Sequence, residues 1–171
     1  MILETERLTL APVVQGDAPA IYLMMSDPEV MAHWDVEPIE DPDVVEAYVA
    51  AQVREVEEGA GWYWSMRLIE DGVFLGVCDL SDVDWRHHRA EVGFMMGKDS
   101  WGKGYAFEAM ASVLAFAASQ GLKRLTARTH VGNVRSDSLL AKLGFKQEGY
   151  LHGHIDREGE RRDCRLWGML L

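Results

Sequence analysis

A chain of 171 residues can bury a sizeable core without disulfides or metals, and 48 % apolar with 26 % charged residues excludes wholesale disorder. Its 17 basic residues against 28 acidic give a formal net charge of −11, which works against nucleic-acid binding and suits either a cationic partner or simple solubility. No apolar run approaches the roughly 18 residues of a membrane span, since even Ala106 to Ala118 is broken by Glu108, and the start Met1-Ile2-Leu3-Glu4 lacks the features of an export signal. A cytoplasmic chain with Cys78 and Cys164 as reduced, buried thiols is therefore expected.

In chain order, Ile2 to Val13 reads as a first strand, and Asp17 caps a short helix that runs to about Met25. Asp41-Pro42 opens a second helix, where Val45, Tyr48, Val49, Gln52, Val53 and Val56 recur at helical spacing until Gly59 and Gly61 end it. Trp62, Trp64, Met66 and Leu68 alternate with Tyr63, Ser65 and Arg67, the pattern of a half-buried strand. Asp71-Gly72 is a hairpin signal, and the strands Val73 to Leu80 and Glu91 to Met96 follow. Ala106, Ala109, Met110, Val113, Leu114 and Ala117 form one stripe of a long helix stopped by Gly121. A strand from Arg124 to Thr129, a helix from Val134 to Leu143, and strands Phe145 to His154 and Arg161 to Leu170 complete the chain. No repeat or linker divides it, so one domain over 1–171 is expected. The layout is α+β, with a mixed central sheet of about seven strands flanked by about four helices.

The switch from hairpins to a strand–helix–strand crossover falls near Met96 to Gly104, at Trp101-Gly102-Lys103-Gly104-Tyr105-Ala106. Glycines before a helix let successive N–H groups converge on one anion, helped by the helix dipole, and a pyrophosphate is the natural occupant. The spacing is neither that of a P-loop nor of a dinucleotide fingerprint, and alone it also fits a simple tight turn.

A second motif, Asn133-Val134-Arg135-Ser136 with Lys142-Leu143-Gly144-Phe145, bears on that choice. With Leu3-Glu4-Thr5-Glu6-Arg7-Leu8, Ala90-Glu91-Val92-Gly93-Phe94 and Glu108-Ala109, the chain resembles the GNAT superfamily of acyl-CoA-dependent N-acyltransferases, in the RimJ/RimL-like branch of ribosomal-protein N-terminal acetyltransferases. The match spans nearly the whole chain in the family's order. Trp101 stands where the superfamily often has Gln or Arg, and Ala106 where it often has a third glycine.

The resemblance implies a splayed strand pair that takes the pantetheine arm of acetyl-CoA like an extra strand. Backbone groups of Phe94 and Met96 would meet that arm, with the amides of residues 95–96 (Met95 and Met96) as oxyanion donors. Gly102 to Ala106, Tyr105 among them, would hold the pyrophosphate, Trp101 would flank it, and Lys103 would add charge. Asn133 would reach the cofactor, cap its helix, or do both. Direct attack by an amine needs orientation, an oxyanion donor, a base and an acid, but no covalent enzyme intermediate and no metal. Glu91 is the best-placed base, unless it only pairs with Arg89 or Arg86; Asp163 and Asp79 stand in reserve. Ser136 is the acid, unless it only bonds its helix.

Weaker signals are His152 and His154 on one strand face without a third metal ligand, and His130 at a strand end near Asn133. Trp34 lies where this branch shapes its acceptor pocket, and the Arg157 to Arg165 charge run reads as a solvated hairpin. The resemblance implies an amine acceptor as partner, the N-terminus of a basic protein among the candidates, no nucleic acid or membrane, and a homodimer as an assembly to test. A non-catalytic acyl-CoA-binding module on the same fold is the alternative.

Overall fold

Alternating apolar residues on long strands build one eight-stranded sheet in the computed structural model, which describes Met1–Leu171. The elements are β1 (Leu3–Glu4), β2 (Leu8–Pro12), α1 (Ala18–Met25), α2 (Pro42–Glu58), β3 (Trp62–Leu68), β4 (Phe74–Asp84), β5 (Arg89–Met96), α3 (Tyr105–Ser119), β6 (Arg124–His130), α4 (Val134–Leu143), β7 (Lys146–Arg157) and β8 (Glu160–Leu170). The strand order is β1-β2-β3-β4-β5-β6-β8-β7. Every neighbouring pair is antiparallel except β5 and β6, which α3 connects as a parallel crossover.

The eighth strand comes from the N-terminus, where the expected single strand folds back on itself. Thr5 makes that turn: its N–H donates to Leu8 O at 2.9 Å, and Leu8 N–H donates to Thr5 Oγ1 at 2.9 Å. Leu3 then pairs with Leu10. A short hydroxyl side chain competing for local backbone bonds is what breaks the run.

Both faces of the sheet are covered. Leu8, Leu10, Trp64, Met66, Leu80 and Val92 pack against the Ala109–Met110–Val113–Ala117 stripe of α3. On the other face Ile21, Met25, Val45 and Val49 of α1 and α2 close over Val13 and Met95. The second layer corrects the expectation that β3 is only half-buried. Ser65 is buried, and Tyr63 and Ser65 meet the helical layer through Glu55 and Asp17. Asp17 likewise does not cap α1 with its side chain. Instead its carboxylate accepts from Val14 N–H (3.0 Å), Ser65 Oγ (2.5 Å) and the Arg67 guanidinium. A buried carboxylate needs that full complement of donors. Cys78 and Cys164 are buried and unpaired.

The Arg157–Arg165 run is a hairpin with an exposed tip at residues 158–161, but its first arginine is not solvated. Arg157 is 6 % exposed, paired with Glu37 at 2.6 and 2.7 Å. Its Nη1 donates to the carbonyls of Met31 (2.9 Å), Ala32 (3.2 Å) and Trp34 (3.3 Å), and Arg162 adds a bond to Ala32 O at 3.0 Å. One arginine thereby fastens the segment after α1 to the far end of the sheet.

Arg157→Ala would leave the Glu37 carboxylate and the Trp34 carbonyl without their donor and take one bond each from the Met31 and Ala32 carbonyls, and we expect it to cost about 2–4 kcal/mol, read as a lower urea midpoint. Arg161→Ala, which removes an exposed guanidinium, should leave the midpoint in place. A cost for Arg157→Ala below about 0.5 kcal/mol would show that other contacts hold the segment.

Candidate active site

The parallel pair β5–β6 holds for three rungs, Arg89↔Arg124, Ala90↔Leu125 and Glu91↔Thr126, and then parts. β4 keeps β5 in register as far as Gly76↔Met96, while β8 keeps β6 to His130↔Cys164. One edge of β5 is thus unpaired beyond Glu91. Its phase follows from Gly97 N–H, which donates to Leu75 O at 3.0 Å. By antiparallel alternation the Met95 amide also faces β4, and the backbone groups of Phe94 and Met96 face the opening. Met96 O takes the Trp101 indole N–H at 2.9 Å. Of the two amides expected as oxyanion donors, only that of Met96 points into the opening; the Met95 amide is spent on β4, and its side chain is buried under α1 and α2.

The β5 edge leads into the glycine turn. Gly102 (φ 73°) and Gly104 (φ 81°) are both left-handed, a conformation that strains any residue with a Cβ. The first bond of α3 is Glu108 N–H to Gly104 O at 3.1 Å, so the amides of Tyr105, Ala106 and Phe107 lack helical acceptors. They are available to an anion, with exposed Lys103 beside them.

The opening Leu3–Leu8 motif holds this turn in place, a role that sequence reasoning missed. Glu108 accepts from Thr5 Oγ1 (2.6 Å), Arg7 N–H (2.8 Å) and Arg7 Nε (2.7 Å), and Arg7 Nη1 donates to Lys103 O at 3.1 Å. Arg7 also lies over the Tyr105 ring at 4.6 Å. On the far side Arg135 stacks on Trp101 at 4.3 Å, which brings the start of α4 to the turn. Asn133 caps α4 by accepting from Ser136 N–H at 3.2 Å. The Ser136 hydroxyl makes no bond within the chain and is partly exposed.

Glu91 sits on the last rung before the strands part. Burial raises its carboxyl above the usual range, and Arg128 opposes that rise. The expected alternative, pairing with Arg89, is not what forms: Arg89 bonds Asp84 at 3.2 and 3.3 Å. Arg128 is itself held by Asp35 (2.8 and 3.2 Å), whose Oδ1 also meets His130 Nε2 at 2.7 Å. The His130 bond, with Arg128 behind it, holds Asp35 well below the usual carboxylate range. His130 is therefore buried under the 31–37 segment, not presented at an open strand end. Asp163 accepts from Gly153 N–H (2.6 Å) and Tyr150 Oη (2.7 Å) on the β7–β8 ribbon, bonds that hold it low and suit it poorly to take a proton. Asp79 lies across from Gly93 on β4.

No helix is long and apolar enough to cross a membrane. The acetyltransferase (GNAT) domain profile matches residues 7–146. The uncharacterised N-acetyltransferase p20 of Bacillus licheniformis is 30 % identical over 169 residues, 98 % of this chain and 95 % of that protein. The [ribosomal protein uS5]-alanine N-acetyltransferase of Escherichia coli (strain K12) is 30 % identical over 109 residues, 63 % of this chain and 56 % of its own. Among solved structures, spermidine N-acetyltransferase from Vibrio cholerae in complex with CoA and spermine shares the fold with a TM-score of 0.84 at 22 % identity, over 95 % of each chain. An unpaired strand edge leading into a helix start with free amides, on a chain matched over most of its length, makes this protein a member of the GNAT acetyltransferase family, which moves an acetyl group from acetyl-CoA to an amine.

Proposed function

We propose that the chain acetylates a cationic primary amine by direct attack on acetyl-CoA in a ternary complex. The observation that carries this reading is the unpaired β5 edge ending at the glycine turn, which fits an extended amide-bearing arm followed by a pyrophosphate. The pantetheine arm would lie against Phe94 and Met96, and the pyrophosphate against the amides from Gly102 to Ala106. Lys103 would add charge, Trp101 would brace the turn, and the free side-chain NH2 of Asn133 would donate to the cofactor. Met96 N–H would stabilise the negative charge that develops on the thioester oxygen. Glu91 would take a proton from the acceptor nitrogen, and Ser136 would give one to the departing sulfur.

The acidic balance of the chain supports a cationic acceptor. So do the relatives, one named for spermidine and another for the alanine of ribosomal protein uS5. The test is thiol release from acetyl-CoA with spermidine and with short peptides bearing a free α-amine and either basic or acidic residues. We expect release only when an amine is present, and faster with basic peptides at low salt, an advantage that fades as salt is added. Acetyl-CoA binding without amine-dependent release would mark a binding module instead.

Once an acceptor is in hand, Glu91→Gln and Ser136→Ala should each lower kcat about tenfold or more, roughly 1.4 kcal/mol of transition-state stabilisation, with acetyl-CoA affinity unchanged. The serine effect should be the smaller, because a thiolate leaves readily. Since burial raises the Glu91 carboxyl, wild-type kcat should rise with pH above the usual carboxylate range, and Glu91→Gln should flatten that rise. Wild-type kcat in both variants would leave catalysis to positioning alone.

A further inference from the structure

The reaction just proposed removes two protons from the acceptor nitrogen, and Glu91 accounts for one of them. An ammonium acceptor binds with three N–H bonds and leaves as an amide with one, so two protons depart. One reaches the CoA sulfur as the thiol forms; the other must leave the site.

A second carboxylate lies on the Glu91 face of β5. Asp79 pairs with Gly93, and a Cβ on Gly93 would stand 2.5 Å from Asp79 Oδ1. The missing side chain lets the carboxylate lie over β5, the strand that borders the opening. Asp79 takes one hydrogen bond, from Ser81 Oγ at 2.9 Å, and forms no ion pair. Its charged neighbours are carboxylates, Glu91 on β5, Asp82 on its own strand and Glu55 on α2; Tyr48 and Tyr63 face it from α2 and β3.

Asp79 also lines a void of about 10 Å3, the size of one water, between α2 and the sheet. Trp34, Gln52 and Phe94, the last on the strand that borders the opening, line the same void. Gln52 is 5 % exposed and its Oε1 has no partner in the chain. A buried acceptor left unpaired in this way calls for a donor. Asp79 and Gln52 Oε1 both accept, so a water in the void gives one hydrogen to each and keeps its lone pairs for a third group. An ammonium N–H is the group that fits.

We propose that Asp79, through one water held by Gln52, takes the second proton of the acceptor nitrogen, so that Glu91 and Asp79 share the two. The acceptor N–H bond breaks, the water gains that proton and passes its own to Asp79, and the carboxylate later releases it to solvent; Glu91 gives up its proton and Ser136 regains the one it lost to sulfur, so that one proton is released overall. No oxidant or further reactant is needed. Burial and the neighbouring carboxylates push Asp79 up to about 7, where such a group accepts and releases protons near neutral pH.

The experiment compares Asp79→Asn and Gln52→Leu with the wild type, using spermidine across a pH series. Melting with and without acetyl-CoA serves as a check on folding and cofactor binding. For Asp79→Asn we expect at least a tenfold loss of kcat near pH 7. That deficit should shrink as pH nears about 10, where the amine arrives already deprotonated. Gln52→Leu should show a smaller loss with the same pH trend. Its melting temperature should stay close to the wild-type value, because the amide oxygen has no partner in the chain and only its bond to the water is lost. Lower activity with undiminished stability separates a proton path from a packing role. A pH-independent deficit in Asp79→Asn, or wild-type kcat in Gln52→Leu at every pH, would overturn the proposal and leave acetyl transfer standing. Failure of the wild type to release thiol with any amine would overturn both.

Discussion

Two strands that run side by side for three rungs and then separate are the constraint on which the rest of this structure depends. A sheet normally satisfies its backbone groups with its neighbours, and an interior strand that leaves an edge unpaired carries a standing demand for a partner. Here each strand is anchored on its outer side, β5 by β4 and β6 by β8, so the gap is built in by flanking ladders and does not depend on a loop. An extended ligand with amide groups would complete the sheet, and the proposed cofactor binding would then be a form of strand addition.

The chemistry around this gap is divided between its end and its faces. At the end of β5 the glycine turn, Lys103 and the first amides of α3 make a positive corner, clamped by the Thr5–Arg7–Glu108 cluster and by the Trp101–Arg135 stack. On the face towards α1 and α2 the groups are mainly acidic, with Glu91 and Asp79 raised by burial and Asp35 held low by its two basic partners. An anion and a cation are thereby invited to neighbouring places. Between them lies Met96, whose N–H points into the opening. The segment that carries Trp34 and Asp35 is fastened by Arg128, His130, Arg157 and Arg162, so it rests on ion pairs and arginine–carbonyl bonds reaching across the sheet.

Much of this was legible in the sequence because it is local. Apolar periodicity marks α2 and α3, glycines mark the ends of α2 and α4 and the turn before α3, and Asn133 marks the cap of α4. What was not legible depends on distance or on phase. Arg157 reads as a surface charge until its partner, 120 residues away in sequence, is known. Asp17 reads as a cap until Ser65 and Arg67 arrive beneath it. Met95 and Met96 are the same residue type, and only the ladder decides which amide faces the opening. Gly93 looks like a weak spot in a strand until the Asp79 carboxylate is seen to need its space.

Whether the free edge of β5 receives acetyl-CoA is decided by residue-resolved amide hydrogen exchange with and without acetyl-CoA. Exchange should slow at Phe94 and Met96 and at the amides from Gly102 to Ala106, with Met95, already bonded to β4, unchanged. Binding of acetyl-CoA with no protection at Phe94 or Met96 would contradict it.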